Sequence, residues 1–363
     1  MTVQKSFSIF VIIVMASIAG VLFFSIDAST FAMLKHADPV LLACAAGLVA
    51  VGWVLDACKF MVLARAAGEK LSFKCTIEVV WINYFGCAIT PMQSGGGPFQ
   101  IYLLYKNGVS VGKSVAITLV RTLQILFLLA LVVPFSLLAD PEILKKYIYM
   151  RWYVCYVVVF IGISAFMMVV SVIRPQWIKH WTNAVLVWVK RLGVLKPKYL
   201  LMAVRWVNKE VDAYNTNIKL FISTGKWWFI FSMFLAAAHL FVYMSIMPCL
   251  ILAAGFPVNY TQCMLAESLL LFMLYFVPTP GASGAAEGGA VAVFRLFVPW
   301  SVSGVMAVTW RLLSEYTGIA LGAYIIVKML GWGGANKVMK HEETVIENTE
   351  KAEEAEYENK QKS

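Results

Sequence analysis

Charge is scarce in this chain. Only 14% of its 363 residues are Asp, Glu, Lys or Arg, against roughly 25% in an ordinary soluble domain, while 61% are hydrophobic and the mean hydropathy is +0.77. So much apolar surface exceeds what a globular core of this size buries, which excludes a soluble fold and makes lipid the solvent for most of the chain. The seven Cys (44, 58, 75, 87, 155, 249, 263) are odd in number and never spaced as C-x-x-C. Most lie inside apolar runs, so they read as packing residues rather than disulfide or metal ligands. The four His (36, 180, 239, 341) form no pair at ligand spacing, and no Walker A sequence is present. No metal, cofactor or ATP hydrolysis is therefore expected, and no Ser-His-Asp or Cys-His arrangement suggests covalent catalysis.

What is present is a series of long apolar runs. A crossing needs about 20 apolar residues, and six stretches qualify: Phe7 to Ser25, Pro39 to Ala64, Ser114 to Leu138, Trp152 to Ile173, Trp227 to Ala253 and Val302 to Val327. The first is longer than the usual signal-peptide core and has no convincing small-x-small cleavage site, so it reads as an uncleaved span. Two shorter stretches, Thr76 to Ile89 and Tyr260 to Val277, each run into a glycine-proline break followed by a second apolar piece. The expected fold is an all-α polytopic membrane protein with six full spans and two re-entrant helical hairpins, occupying residues 1–334. A charged tail follows at 335–363, with five Lys against eight Glu, too polar to bury a core.

The distribution of Lys and Arg sets orientation. Residues 174–226 hold ten basic and two acidic residues and are expected to be cytoplasmic; Gly255 to Asn259 has no charge and suits the outside. With both termini inside, the stretch from Thr76 to Lys113 enters and returns on the inner side, and that from Tyr260 to Ser301 on the outer side. Within 174–226, Trp177, Trp181, Val185, Trp188 and Leu192 fall on one helical stripe, as in a helix lying at the inner interface. A nucleic-acid partner is not expected of this patch, since the membrane is already beside it.

The two breaks resemble each other. Thr90-Pro91-Met92-Gln93-Ser94-Gly95 and Thr279-Pro280-Gly281-Ala282-Ser283-Gly284 share T-P-x-x-S-G, and each is followed at similar spacing by an intramembrane arginine, Arg121 or Arg311. An internal repeat of inverted topology is the expectation, as in many alternating-access transporters. Non-helical backbone at membrane depth requires protein or a water-filled cavity around it. On one reading the breaks line a cavity in which Gly95, Gly96 and Gly284 let backbone N–H groups approach a ligand at a half-helix N-terminus. On the other they are helix-capping loops packed against neighbours.

Arg121 cannot face lipid cheaply, and Arg311, Ser314, Glu315, Gly318 and Gly322 make a polar and small stripe. Arg311 and Glu315 at i, i+4, and Asp56 with Lys59, are candidate ion pairs. Glu267 and Glu287 are carboxylates in apolar surroundings, each able to exchange a proton or pair with Arg; Glu287 also suits the first turn of a half-helix. The candidate substrate-binding set is Gln93, Gly95, Gly96, Arg121, Ser283, Gly284, Glu287, Arg311 and Glu315.

At these residues the sequence resembles a known family. Thr90 to Val109 (TPMQSGGGPFQIYLLYKNGV), Pro278 to Glu287 (PTPGASGAAE) and Trp310-Arg311 look like the signature of the lysylphosphatidylglycerol synthase membrane-region family, also called flippase-like integral membrane proteins. The similarity covers about residues 5–330. Where the family usually reads GGEP, Gly97 stands in place of the acidic residue. The resemblance implies a polytopic protein that handles phospholipid, in the best-understood branch of the family by moving aminoacylated phosphatidylglycerol between leaflets. In that branch a cytoplasmic domain transfers lysine from tRNA to the lipid, whereas here only a low-complexity, charge-rich stretch of about 30 residues follows the last span. The expected function is thus a flippase or transporter for a lipid with an anionic or aminoacylated headgroup, in the inner (plasma) membrane, with membrane phospholipid as its partner. The alternatives are a phosphatidylglycerol lysyltransferase or its membrane subunit, working with a separate lipid-modifying enzyme, and a membrane scaffold.

Overall fold

The computed structural model describes residues 37–139 apart from Pro91, Met92 and Ser94, residues 225–329 apart from Phe276, and scattered helical residues between Phe7 and Phe23. The expected span Trp152 to Ile173, the amphipathic stretch 174–226 except its last two residues, and the tail 335–363 lie outside the described residues.

Nine helices are described from Pro39 onward. They are α1 (Pro39–Ala66), α2 (Phe73–Ala88), α3 (Gly96–Lys106), α4 (Val111–Ala139), α5 (Lys226–Met244), α6 (Ile246–Ala253), α7 (Tyr260–Leu274), α8 (Ala285–Phe294) and α9 (Trp300–Arg311). No strand occurs among the described residues. Beyond α9 the chain passes through a π turn, Leu312–Tyr316, and stays helical to Met329. Four units are long and apolar enough to cross a bilayer: α1, α4, α5 with α6, and α9 with its continuation. They match four of the six expected spans. Of the most apolar stretch of α1 only 28% is buried, so most of its surface is left for lipid to cover.

Local chemistry sets the helix ends. Asp38 caps α1, its carboxylate accepting from the N–H of Val40 at 2.8 Å, with Pro39 in the first turn. Asn259 caps α7 in the same way, accepting from the N–H of Gln262. Pro248 has no N–H to give the carbonyl of Met244, the residue at which α5 ends and the span bends into α6. A residue before proline disfavours the helical conformation: Thr90, before Pro91, follows the end of α2 by two residues, and Val277, before Pro278, follows the end of α7 by three, so both helices stop short of a full crossing.

Helices start at residues 39, 73, 96 and 111 in the first half and at 226, 260, 285 and 300 in the second, a near-constant offset of 187 to 189 residues. The equivalent spans run antiparallel. Asp38 donates from its N–H to Ala253 O at 2.8 Å, Cys249 Sγ donates to Leu41 O at 3.3 Å, and His239 Nδ1 donates to Gly52 O at 2.9 Å. At the other end of α1, Gly225 lies so close to Ala66 that an added Cβ would meet its Cα at 2.9 Å. These contacts pair the start of α1 with the end of α6, and the end of α1 with the start of α5. Lys113 Nζ lies 2.6 Å from Glu69 Oε1, so α4 begins where α1 ends and the α2–α3 hairpin returns to that end. The α7–α8 hairpin starts from the opposite end, just after Ala253; Val298 and Val302, which follow it, share a hydrophobic cluster with Ala45 and Ile251. Two hairpins therefore enter from opposite ends, and their tips meet where the N–H of Gly281 donates to Thr90 O at 3.3 Å.

Candidate functional site

Around the meeting hairpins the spans carry two buried charge clusters of different composition. The first joins α1 and α4. Asp56 is buried, with Lys59 Nζ at 2.6 Å from its Oδ1 across one helical turn, and Arg121 donates to both of its oxygens from Nε and a terminal nitrogen. Lys59 is wholly buried and the Arg121 side chain only 12% exposed. The anticipated Asp56 and Lys59 pair is present. Its link to Arg121, 65 residues away, had no signal in the sequence. Two cations sharing one carboxylate leave the cluster with one positive charge in excess.

The second cluster holds the other break. Arg311 donates from Nη2 to Gly281 O at 2.7 Å and from Nε to Glu287 Oε1 at 3.4 Å, and its Nη1 lies 2.9 Å from Glu315 Oε1. The expected i, i+4 pair is therefore formed, as one of three contacts. The Tyr316 hydroxyl also donates to Glu287 Oε1 at 2.5 Å, and Tyr243 OH donates to Glu315 at 3.4 Å. One cation serves two carboxylates here, so the formal excess is one negative charge. Arg311 is fully buried, and its fork ties the continuation of α9, the start of α8 and the break backbone together.

The threonine and the final glycine of each T-P-x-x-S-G motif are engaged inside their own hairpin. Thr90 Oγ1 donates to Gly86 O at 2.9 Å and accepts from the N–H of Gly95 at 2.7 Å. Thr279 Oγ1 donates to Ser283 O at 2.9 Å, and the N–H of Gly284 donates to Glu287 Oε2 at 2.5 Å. The amides of Gly95 and Gly284, expected to face a ligand, are thus used within their own turns. Nor do Gly95 and Gly96 open space. A Cβ at Gly95 would meet Gly86 O at 2.8 Å, and one at Gly96 would meet Asn83 Cγ at 2.9 Å, because α2 and α3 pack at backbone distance here. Gly97 differs, having nothing within 4 Å of an added Cβ.

Gln93 is half-buried, with its carbonyl accepting from Cys87 Sγ at 3.1 Å; Ser283 is buried and its hydroxyl has no hydrogen-bond partner. Gly318 and Gly322 sit against α2, where Cβ atoms would meet the Tyr84 ring at 2.9 Å and the Trp81 carbonyl carbon at 2.8 Å. Those two glycines serve helix approach. The structure brings Arg311, Glu287, Glu315, Gly281 and Gly284 together, and places Arg121 with Asp56 and Lys59 in a separate cluster. Glu267 pairs with no Arg; its Oε1 accepts from Trp310 Nε1 at 3.1 Å. Between α1, α2, α5 and the π turn after α9 lies a small crevice of about 10 Å³, room for about one water, lined by Gly52, Trp53, Tyr84, His239, Tyr243 and Ser314, among others.

Residues 8–322 match the family described as Lysylphosphatidylglycerol synthase TM region. The chain belongs to that family. It is an integral membrane protein, as the apolar spans and this membership agree. It is also similar to a UPF0104 membrane protein of Archaeoglobus fulgidus, 25% identical over 298 residues that cover 81% of this chain and 88% of the relative.

Proposed function

We propose that this protein moves a lipid with an anionic or aminoacylated headgroup between the leaflets of the plasma membrane, with both termini cytoplasmic. The observation that carries the reading is the Lys59, Asp56 and Arg121 cluster. A buried excess charge is costly unless something neutralises it, and a phosphodiester brings the one negative charge that this cluster lacks. Arg121 supplies a planar fork suited to phosphate oxygens and Lys59 a point charge. Arg311, Glu287 and Glu315 hold the second hairpin in place, and Gln93, Gly95, Gly96, Ser283 and Gly284 shape the two tips. Family membership, antiparallel repeats and hairpins meeting between the spans support alternating access, in which one repeat rocks against the other.

The test is reconstitution of the pure chain in vesicles of phosphatidylethanolamine and phosphatidylglycerol with a trace of fluorescent phosphatidylglycerol, scored by quenching from one side. Exchange between leaflets is expected without added transferase or tRNA. Lys59→Gln and Arg121→Gln should each slow it by about tenfold, the equivalent of about 1.4 kcal/mol at the barrier. Folded wild-type protein that exchanges no lipid would sink the proposal.

A further inference from the structure

Glu267 is the buried acid that neither charge cluster uses. It lies in α7, fully buried, with Oε1 accepting from Trp310 Nε1 and Oε2 without a hydrogen-bond partner. No Lys or Arg among the described residues pairs with it. The ionisable groups on the elements packed around α7 are engaged elsewhere. Arg121 of α4 is taken by Asp56 and Lys113 by Glu69; Glu287 of α8 is taken by Arg311, itself shared with Glu315. On α5, His239 contacts Gly52 O and Tyr243 contacts Glu315, while Cys249 of α6 contacts Leu41 O. Lys226 at the start of α5 and Arg295 at the end of α8 lie over the rings of Trp227 and Trp300, and the Tyr260 hydroxyl of α7 bonds Ser245. Cys263, one turn before Glu267 on α7, and Tyr275, just after α7, offer no positive charge.

An ionised carboxylate in such a place would be an unpaired buried charge. Its partner stands at a joint: Trp310 and Arg311 end α9, and the π turn Leu312–Tyr316 follows directly. Single π turns inside helices recur at functional sites and provide a place for a helix to change its phase. Any movement of α9 against α7 acts on the Glu267 to Trp310 contact. We infer that Glu267 is a proton-binding site, holding its proton in this conformation and releasing it when the α7–α9 interface opens to water. In that step the carboxyl O–H bond breaks, the electron pair stays on the carboxylate, and the proton passes to water in the compartment then facing the site. If the chain moves lipid as proposed above, a reading on which this second half rests, lipid movement is coupled to a transmembrane proton gradient.

Glu267→Gln separates this role from a structural one, since the amide still offers a carbonyl oxygen to Trp310 but has no proton to exchange. Infrared difference spectra of the full chain in vesicles should show a protonated-carboxyl C=O band that Glu267→Gln removes; lack of such a band in the wild type would overturn the assignment. In vesicles of phosphatidylethanolamine and phosphatidylglycerol, an imposed pH gradient should speed movement of fluorescent phosphatidylglycerol several-fold in one direction. Glu267→Gln should retain exchange but lose this response. An equal gradient response in both proteins would overturn the coupling while leaving the lipid-transport reading intact. Wild-type vesicles with the band but no lipid exchange would overturn lipid coupling and lipid transport together, and leave the proton site standing.

Discussion

Gln93 and Ala282 hold the same place in the two T-P-x-x-S-G turns and adopt the same left-handed backbone, with φ of 54° and 53°. They are the non-glycine residues with positive φ among those described. Side chains rarely take this conformation without a compensating surround. Its recurrence 189 residues apart shows that the repeat extends to the backbone at this position, although the glycines that close the motif differ, Gly95 having φ −80° and Gly284 φ 86°. Because Ala282 is fully buried, a β-branched side chain there meets both backbone strain and overpacking. We predict that Ala282→Val lowers stability by about 2–4 kcal/mol. Ala282→Gly should change it by less than about 1 kcal/mol, since relief of strain offsets the greater freedom of the unfolded chain. Thermal unfolding in detergent checks both, and a Val variant as stable as wild type would show that the turn relaxes readily.

Antiparallel equivalents put the two hairpin mouths at opposite ends of the bundle. Lys70 follows α1 near the Glu69 to Lys113 contact and Asn259 caps α7 beyond Ala253; both are exposed. In a background lacking other Cys, Lys70→Cys and Asn259→Cys should react with an impermeant thiol reagent from opposite faces of the membrane, Asn259→Cys from outside. Reaction of both from one face would refute the inverted arrangement.

Local features were legible in the sequence and distant ones were not. Apolar length located four described spans, and the glycine-proline breaks marked where α2 and α7 stop short, because both signals are carried by neighbouring residues. The Asp56 with Lys59 and Arg311 with Glu315 pairs were also readable, being one helical turn apart. The repeated motif was visible, but its reason was not: Thr90 and Thr279 close their own turns, which no spacing distinguishes from a ligand loop. The links from Arg121 to Asp56 and from Arg311 to Glu287 depend on how helices pack across 65 and 24 residues. Of the two apolar-flanked acids, only packing decides that Glu287 meets an arginine and Glu267 a tryptophan.

The glycines of the first hairpin separate by their surroundings. Gly86 and Gly96 bring α2 and α3 together at backbone distance, and a Cβ at Gly86 would meet Gly96 Cα at 2.7 Å. Gly86→Ala and Gly96→Ala are expected to cost about 1–3 kcal/mol each through overpacking. Gly97→Ala should be neutral or stabilising by up to about 1 kcal/mol, with open space around it and a better helix former in the first turn. Gly97→Glu, which writes the family's acidic residue into this chain, should be accommodated, as a carboxylate suits a helix start. Unfolding midpoints of the four variants decide the matter; equal losses at Gly96 and Gly97 would contradict the packing account.

The two arginines are expected to respond differently because of what each would leave behind. Removing Arg121 leaves Asp56 and Lys59 as a neutral pair at 2.6 Å, so Arg121→Gln should cost modest stability while removing the excess positive charge on which lipid exchange is proposed to depend. Removing Arg311 leaves Glu287 and Glu315 without a cation and Gly281 O without its donor, a loss of the kind that costs about 3–5 kcal/mol in a buried network. Arg311→Lys should rescue little, because one ammonium on a flexible stem does not reproduce three contacts made by a planar fork. In the double variant Arg311→Gln, Glu315→Gln one of the stranded carboxylates is neutralised, and partial recovery of stability is expected, the two sites being coupled rather than additive. Unfolding midpoints and leaflet-exchange rates measured side by side should therefore place Arg121→Gln as folded and slow, and Arg311→Gln as unstable. A stable Arg311→Gln protein with lost exchange would instead make Arg311 a lipid ligand, and its contacts with Glu287 and Gly281 would then have to yield when the headgroup binds.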